Sequence, residues 1–148
     1  MDKPRSIKRF ELFWWGSTLF WAIGTRLAWN RNQGKLLADP RTRAVAEWGQ
    51  WFWIVVTLSL TALLWWLVAR RASAAGKWLV TAWAALTGVL AVIRLFSLAA
   101  GRTLHPFSES AYMLTAILAV AAAAMLFRPD ARAWFGEFDE VADEELPA

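Results

Sequence analysis

Long apolar runs separated by short basic segments set the pattern of this chain. The clearest run extends from Trp51 to Ala69 without a charged residue. At about 1.5 Å per residue, a helix of this length crosses most of a hydrocarbon layer of roughly 30 Å. Pairs of tryptophans mark both of its ends, as expected for indoles at the headgroup level. The run is therefore predicted to span a membrane, with four interfacial anchors: Trp48, Trp51, Trp65 and Trp66.

Three more runs of similar character predict an all-α fold, an integral membrane four-helix bundle. The predicted spans cover residues 10–29, 48–69, 77–99 and 107–127, inside a membrane domain of residues 10–128. Small residues on the first and third spans favour close helix packing. The residues concerned are Gly16, Ser17 and Gly24 in the first span, and Ala84 and Gly88 in the third.

The segments between and after the spans are also predicted from their residues. Residues 30–46 are expected to form the only long loop, although Asp39 and Pro40 are suited to the N-cap and first position of a helix. Pro106 is suited to open the fourth span. Residues 129–148 are predicted to hold two further interfacial anchors, Trp134 and Phe135, followed by a solvated acidic cytoplasmic tail from residue 137.

The distribution of basic residues predicts the orientation. Four spans place both termini on one side, and a basic tail of residues 1–9 precedes the first span. Counting Lys and Arg gives nine on the side of the termini and six on the other, if Arg26 is assigned to the nearer surface and Arg94 to neither. Basic residues are retained on the cytoplasmic side, so both termini are predicted to be cytoplasmic.

The amino-acid composition excludes several kinds of site and partner. The chain is 58% hydrophobic, has 12 Trp and no Cys, and so can form neither disulfides nor thiolate metal sites. Its net charge of +4 is spread over segments beside the spans, which indicates topology and contact with lipid headgroups rather than nucleic-acid binding. No cofactor is predicted.

Arg94 lies inside the third span and Glu109 inside the fourth. Arg94 and Glu109 stand at comparable depth on either side of a short connection, which predicts an intramembrane ion pair. The pair either fixes the register of two helices or belongs to a site for an ion or a polar headgroup. Five other residues at the same level form a candidate polar cluster: Arg26, Glu47, Gln50, His105 and Tyr112.

Catalysis has little support in the sequence. The spans contain no paired carboxylates, no nucleophile beside a base and no metal-ligand spacing. His105, in a connection, is interpreted as a solvated side chain. The many indoles could form a surface for a quinone or a pigment, but interfacial belts account for most of them.

Both ends of the chain carry recognisable motifs. Near the start, Lys3-Pro4-Arg5-Ser6-Ile7 is followed by Phe10-Glu11, and Leu126 to Phe135 reads LFRPDARAWF. With these motifs the chain resembles a group of small bacterial four-span inner-membrane proteins. The resemblance implies a bacterial cytoplasmic membrane and a four-helix topology, and it implies no activity. The chain departs from the group's pattern in its long acidic tail and dense Trp.

These observations predict a non-catalytic small membrane protein, an accessory subunit that docks to a larger membrane complex or to itself. The alternative is a small homo-oligomeric transporter or channel with a polar cluster near its outer mouth. In both cases the predicted partners are the lipid bilayer and other membrane subunits or further copies of the chain, and not a nucleic acid.

Overall fold

The computed structural model describes residues 3–38, 40–101 and 106–137, with side chains throughout except at 30–38, 40–42, 44 and 47. This part of the chain is all-α. Its helices are α1 (Arg5–Ala38), α2 (Pro40–Ala69), α3 (Ala74–Ala99), α4 (Pro106–Met125) and the short α5 (Pro129–Trp134).

Helices α1 to α4 form an antiparallel bundle in which each helix packs on the next and α4 returns to α1. The α1–α4 contact is the most extensive, and the α2–α3 contact is the smallest of the four. We call one end of the bundle the base: it holds the start of α1, the α2–α3 turn and α5. The opposite end, with the start of α4 and the end of α3, is the mouth.

Three of the helices in the described part of the chain are long and apolar enough to cross a membrane. They are Trp48–Ala69 within α2, Ala74–Ala99 and Pro106–Met125. Helix α1 is not among them, because Glu11, Arg26 and several small polar residues interrupt its apolar stretch. The structure therefore shows a helical protein with three candidate spans and a fourth long helix packed against them.

The hydrophobic core is concentrated at the base. Phe10 stacks on Trp14 with ring centroids 5.7 Å apart, and both side chains are almost completely buried. Around them lie other aliphatic side chains and a row of alanines on α4 that lets α1 approach closely. These residues are Ile7, Leu64, Val68, Val80, Ala119, Ala122, Ala123 and Leu126.

Helix α5 closes the base. The Trp134 indole donates a hydrogen bond to the Val68 carbonyl oxygen at 3.1 Å, near the end of α2. Ala131 is fully buried against the core, and Phe135 packs beside it. The structure thus gives Trp134 and Phe135 a packing role in addition to the interfacial role predicted from the sequence.

One boundary prediction is wrong. The segment 30–46 is not a loop: α1 continues to Ala38 and α2 begins at Pro40, as its proline predicted, while Asp39 lies outside the described residues. One glycine costs a helix only about 1 kcal/mol, so Gly34 does not end α1 against neighbours that favour helix. Helix α3 begins at Ala74, because Ser73 caps it by accepting a hydrogen bond from the Gly76 N–H.

Candidate functional site

A cavity of about 900 Å³ lies between the four helices in the mouth half of the bundle. Most of its lining is apolar, and three indoles contribute to it: Trp21 of α1, Trp53 of α2 and Trp83 of α3. Trp53, Leu86 and Leu90 line the cavity and are nevertheless 49–61% exposed. The cavity therefore opens to the exterior between α2 and α3, the two neighbours with the smallest mutual contact.

Arg94 reaches the cavity from α3, and Glu109 of α4 holds it in place. Nη1 of Arg94 lies 2.9 Å from Oε2 of Glu109, so the structure joins the two residues that the sequence paired. The Glu109 side chain is buried, whereas that of Arg94 is 40% exposed. The guanidinium carbon also lies 4.2 Å from the centre of the Tyr112 ring, a cation–π distance. The Arg94 guanidinium, held by Glu109 and the Tyr112 ring, thus forms one polar end of the cavity.

Hydroxyl groups form the opposite, deeper end. Thr57, Thr87 and Thr115 line both the main cavity and a small pocket of about 40 Å³ beneath it. The Thr87 hydroxyl donates to the Trp83 and Ala84 carbonyls, and the Thr115 hydroxyl donates to the Ala111 carbonyl. In this arrangement the Thr87 and Thr115 oxygens face a molecule in the cavity as acceptors.

The other members of the predicted polar cluster are only partly brought together. Gln50 and Tyr112 line the cavity, and the Tyr112 hydroxyl lies 3.5 Å from the Thr25 hydroxyl oxygen. Arg26 is exposed on α1 and is not part of the lining. The side chain of Glu47 and the whole of His105 lie outside the described residues.

The indoles divide into groups that the sequence did not separate. Trp48 and Trp51 are largely exposed, as interfacial anchors would be, and Arg71 lies over the exposed Trp66 ring at 4.6 Å. Trp65 is half-buried and donates a hydrogen bond from Nε1 to Oε1 of Glu11 at 3.1 Å. Interfacial belts therefore do not account for all the tryptophans, since three line the cavity and others join helices.

The polar contacts at the base were missed by the sequence reasoning. The Asp130 carboxylate accepts hydrogen bonds from both the hydroxyl and the backbone N–H of Ser6. The Ser6 hydroxyl, and then its N–H, lower the pKa of Asp130 from its usual value of 3.8. Ser6 and Asp130 are 124 positions apart, so no local sequence pattern connects them. The only indication in the sequence was that each lies in one of the two terminal motifs.

A second contact at the base that the sequence did not predict involves Lys77. It is buried, and its ammonium group lies 2.8 Å from a carboxylate oxygen of Glu137 and 4.6 Å from the centre of the Phe127 ring. Glu137, the first residue of the predicted solvated tail, is 39% exposed and in addition pairs with this buried lysine. The remainder of that tail, residues 138–148, lies outside the described residues.

Within the described residues, no three His, Asp or Glu side chains are grouped as a metal site. Comparisons with protein-family models, with curated proteins and with solved structures find no match to this chain. The resemblance of its two ends therefore identifies no family, and the function has to be argued from the geometry of the bundle.

Proposed function

We propose that α1 is a fourth span and that the protein crosses a bacterial cytoplasmic membrane four times with both termini cytoplasmic. The support is the antiparallel contact of α1 with α4 and α5. Ser6 meets Asp130 at the base, Ser17 bonds to the Thr115 carbonyl, and Gly24 touches Tyr112 toward the mouth. From residue 6 to residue 24, α1 advances about 27 Å beside α4, so a membrane that surrounds α4 also surrounds α1.

The absence of cysteine makes this topology directly testable. Single cysteines at Lys8, Arg43 and Ala75, all exposed, are labelled in intact cells with a membrane-impermeant maleimide. Four spans place Arg43→Cys on the outer side, and Lys8→Cys and Ala75→Cys on the inner side. Equal labelling of Lys8→Cys and Arg43→Cys in intact cells would mean that α1 does not cross. The cysteine-free parent chain is the blank.

Within this topology we propose a non-catalytic accessory subunit. The observation that supports it is that the buried polar side chains are satisfied within the bundle. Among the described residues, every buried side-chain nitrogen or oxygen has a hydrogen-bond partner. These bonds either join helices, as from Ser17 to the Thr115 carbonyl, or run to carbonyls of the same helix, which is a packing role. Helix α3 has few neighbours, since only 11% of its most apolar stretch is buried, against 44% for α4. Its apolar outer face is where we place a partner subunit.

The test is gentle extraction of the native membrane, native gel electrophoresis and mass spectrometry of the band. Migration with larger proteins is expected, and Ala85→Trp on the exposed side of α3 should release the chain from that band. The matched control is Ala124→Trp on the exposed side of α4. A band that contains only this chain, in the wild-type protein, contradicts the accessory proposal.

A homo-oligomeric transporter or channel remains the second candidate, and the cavity is the observation that favours it. The cavity occupies the mouth half and opens between α2 and α3, whereas the packed core closes the base. Such a protein should run as a multiple of its own mass and should support solute flux into proteoliposomes. Loss of that flux on Arg94→Ala would support this candidate over the accessory subunit.

A further inference from the structure

We propose that the mouth cavity binds a lipid-soluble quinol, with its dihydroxy ring between Arg94 and the threonine hydroxyls and its apolar chain leaving between α2 and α3. This goes beyond the accessory role and departs from the sequence, which predicted no cofactor. No redox step is part of the proposal: it concerns binding alone.

The cavity has the size and access that such a molecule needs. Its volume of about 900 Å³ lies within the range of roughly 300–1,000 Å³ typical of ligand sites. It opens between two helices that are candidate spans, so a ligand enters from the apolar layer rather than from water. The ligand is therefore a molecule that partitions into lipid.

The walls favour a ring. Trp21, Trp53 and Trp83 present indole surfaces from three helices to one space. Aromatic pairs gain about 0.5–1.5 kcal/mol beyond the burial of their area. A saturated chain would fill part of the same volume but would gain no aromatic pairing energy. It would also leave the hydroxyls at the deep end facing hydrocarbon.

The spacing of the polar groups favours one oxygen at each side of that ring. Thr87 and Arg94 are two helical turns apart on α3, or about 10 Å along the axis. A ring with oxygens on opposite sides places one oxygen toward the donor at the mouth and the other toward the acceptors at the deep end.

Charge selects a neutral head rather than a phosphate or carboxylate. Among the described lining residues Arg94 is the only charged one, and its charge is already balanced by Glu109 at 2.9 Å. An anionic head would compete with Glu109 for the same guanidinium in a mostly apolar site, which is costly. The remaining guanidinium N–H groups can still donate to a neutral oxygen.

The threonine hydroxyls at the deep end favour binding of a quinol over binding of the corresponding quinone. The Thr87 and Thr115 hydroxyls donate to carbonyls of their own helices, so their oxygens accept. A quinol O–H can donate to them as they stand, whereas a quinone carbonyl could accept from Thr87 or Thr115 only if that hydroxyl gave up its bond to its own helix carbonyl. A quinol oxygen can also accept from Arg94, so the reduced form satisfies both ends.

The test is a titration of the full chain in lipid nanodiscs with decylubiquinol and decylubiquinone, followed by quenching of tryptophan fluorescence and by the rise in Tm. Saturable binding is expected, tighter for the quinol by about fivefold or more, the worth of one hydrogen bond. Thr87→Val should remove that preference, and Thr87→Ser should restore it. Thr81→Val is the matched control, because Thr81 bonds to the Lys77 carbonyl on the same helix outside the cavity.

Three results would overturn the proposal: quenching that only follows partition into lipid, equal effects of Thr87→Val and Thr81→Val, or equal or tighter binding of the quinone. Displacement of the quinol by added phosphatidylglycerol at a stoichiometric ratio would assign the cavity to a phospholipid instead. The outcome is independent of the accessory role, because a chain that runs alone on a native gel can still bind the quinol, and a subunit of a complex can fail to.

Discussion

Ser6 in the first turn of α1 donates two hydrogen bonds to Asp130 in the first turn of α5, from its hydroxyl and, at 3.0 Å, from its backbone N–H. The first turn of α1 contains no acidic residue of its own. Since the first N–H groups of a helix lack intrahelical partners and favour negative charge, Asp130 acts as a cap supplied from the other end of the chain. This contact ties both terminal motifs into one structure at the base.

Loss of this cap should destabilise the base. Ser6 is buried, so Ser6→Ala removes a hydrogen bond to a carboxylate and should lower the free energy of unfolding by about 1 kcal/mol. The measurement is thermal unfolding in detergent micelles, followed by circular dichroism. Ser97→Ala is the control, because the exposed Ser97 hydroxyl bonds only to the Ile93 carbonyl of its own helix. Equal shifts in Tm for the two variants would argue against the cap.

The same contact predicts a dependence on pH. The folded pKa of Asp130 is lowered, so the carboxylate contributes stability that is fully present above its usual value of 3.8. That stability is lost as the pH falls through the lower folded value. The difference in Tm between wild type and Asp130→Asn should therefore be largest near neutral pH and shrink below pH about 4. A constant difference down to acid pH would count against the charged cap.

The buried Lys77 predicts unequal effects of its two partners. Glu137→Ala leaves an ammonium group buried beside Phe127 without its carboxylate, and should cost about 1–3 kcal/mol. Lys77→Met should cost less, because the exposed part of Glu137 can be hydrated and methionine packs well on aromatic rings. Combining both changes should restore part of the loss caused by Glu137→Ala. If Lys77→Met is the more damaging single change, the ion pair is not what stabilises this turn.

The approach of α1 to α4 depends on Gly24. A Cβ added there would lie 3.0–3.2 Å from three atoms of the Tyr112 ring, so Gly24→Ala should separate the helices and lower the Tm. Gly88→Ala is the matched control, since its Cβ would meet only Val120 at 3.8 Å. There, the better helix propensity of alanine should raise stability by up to about 1 kcal/mol. Opposite signs of the two shifts are expected, and a destabilised Gly88→Ala would contradict the packing described for α3 and α4.

Exchanging both charges of the Arg94–Glu109 pair should cost less stability than reversing only one of them. Arg94→Glu or Glu109→Arg alone places like charges together, and because Arg94 is 40% exposed the cost should stay below the roughly 3–5 kcal/mol of a fully buried pair. The double exchange should recover part of that stability, as read from yield and from Tm in micelles. A double variant no better folded than either single one would remove the pair as a determinant of helix register.

Several elements of the fold were predictable from local sequence alone. The run from Trp51 to Ala69 predicted a span because length and absence of charge are local properties, and α2 carries it. Pro40 and Pro106 mark helix starts for the same reason, since proline suits the first position. The depth of Arg94 and Glu109 was enough to predict their contact, because a short connection joins their helices.

Where helices meet at the base and around the cavity, the tertiary structure decided the outcome. No local pattern joins Ser6 to Asp130, or Lys77 to Glu137, because the partners come from distant parts of the chain. Trp21, Trp53 and Trp83 resemble the belt indoles in sequence, yet packing turns them toward one cavity. The hydrophobic pattern determined that the chain forms apolar helices, since that depends on neighbouring residues. Which faces meet, and what space they leave, depends on the shapes of side chains on different helices, and only the folded bundle contains that information.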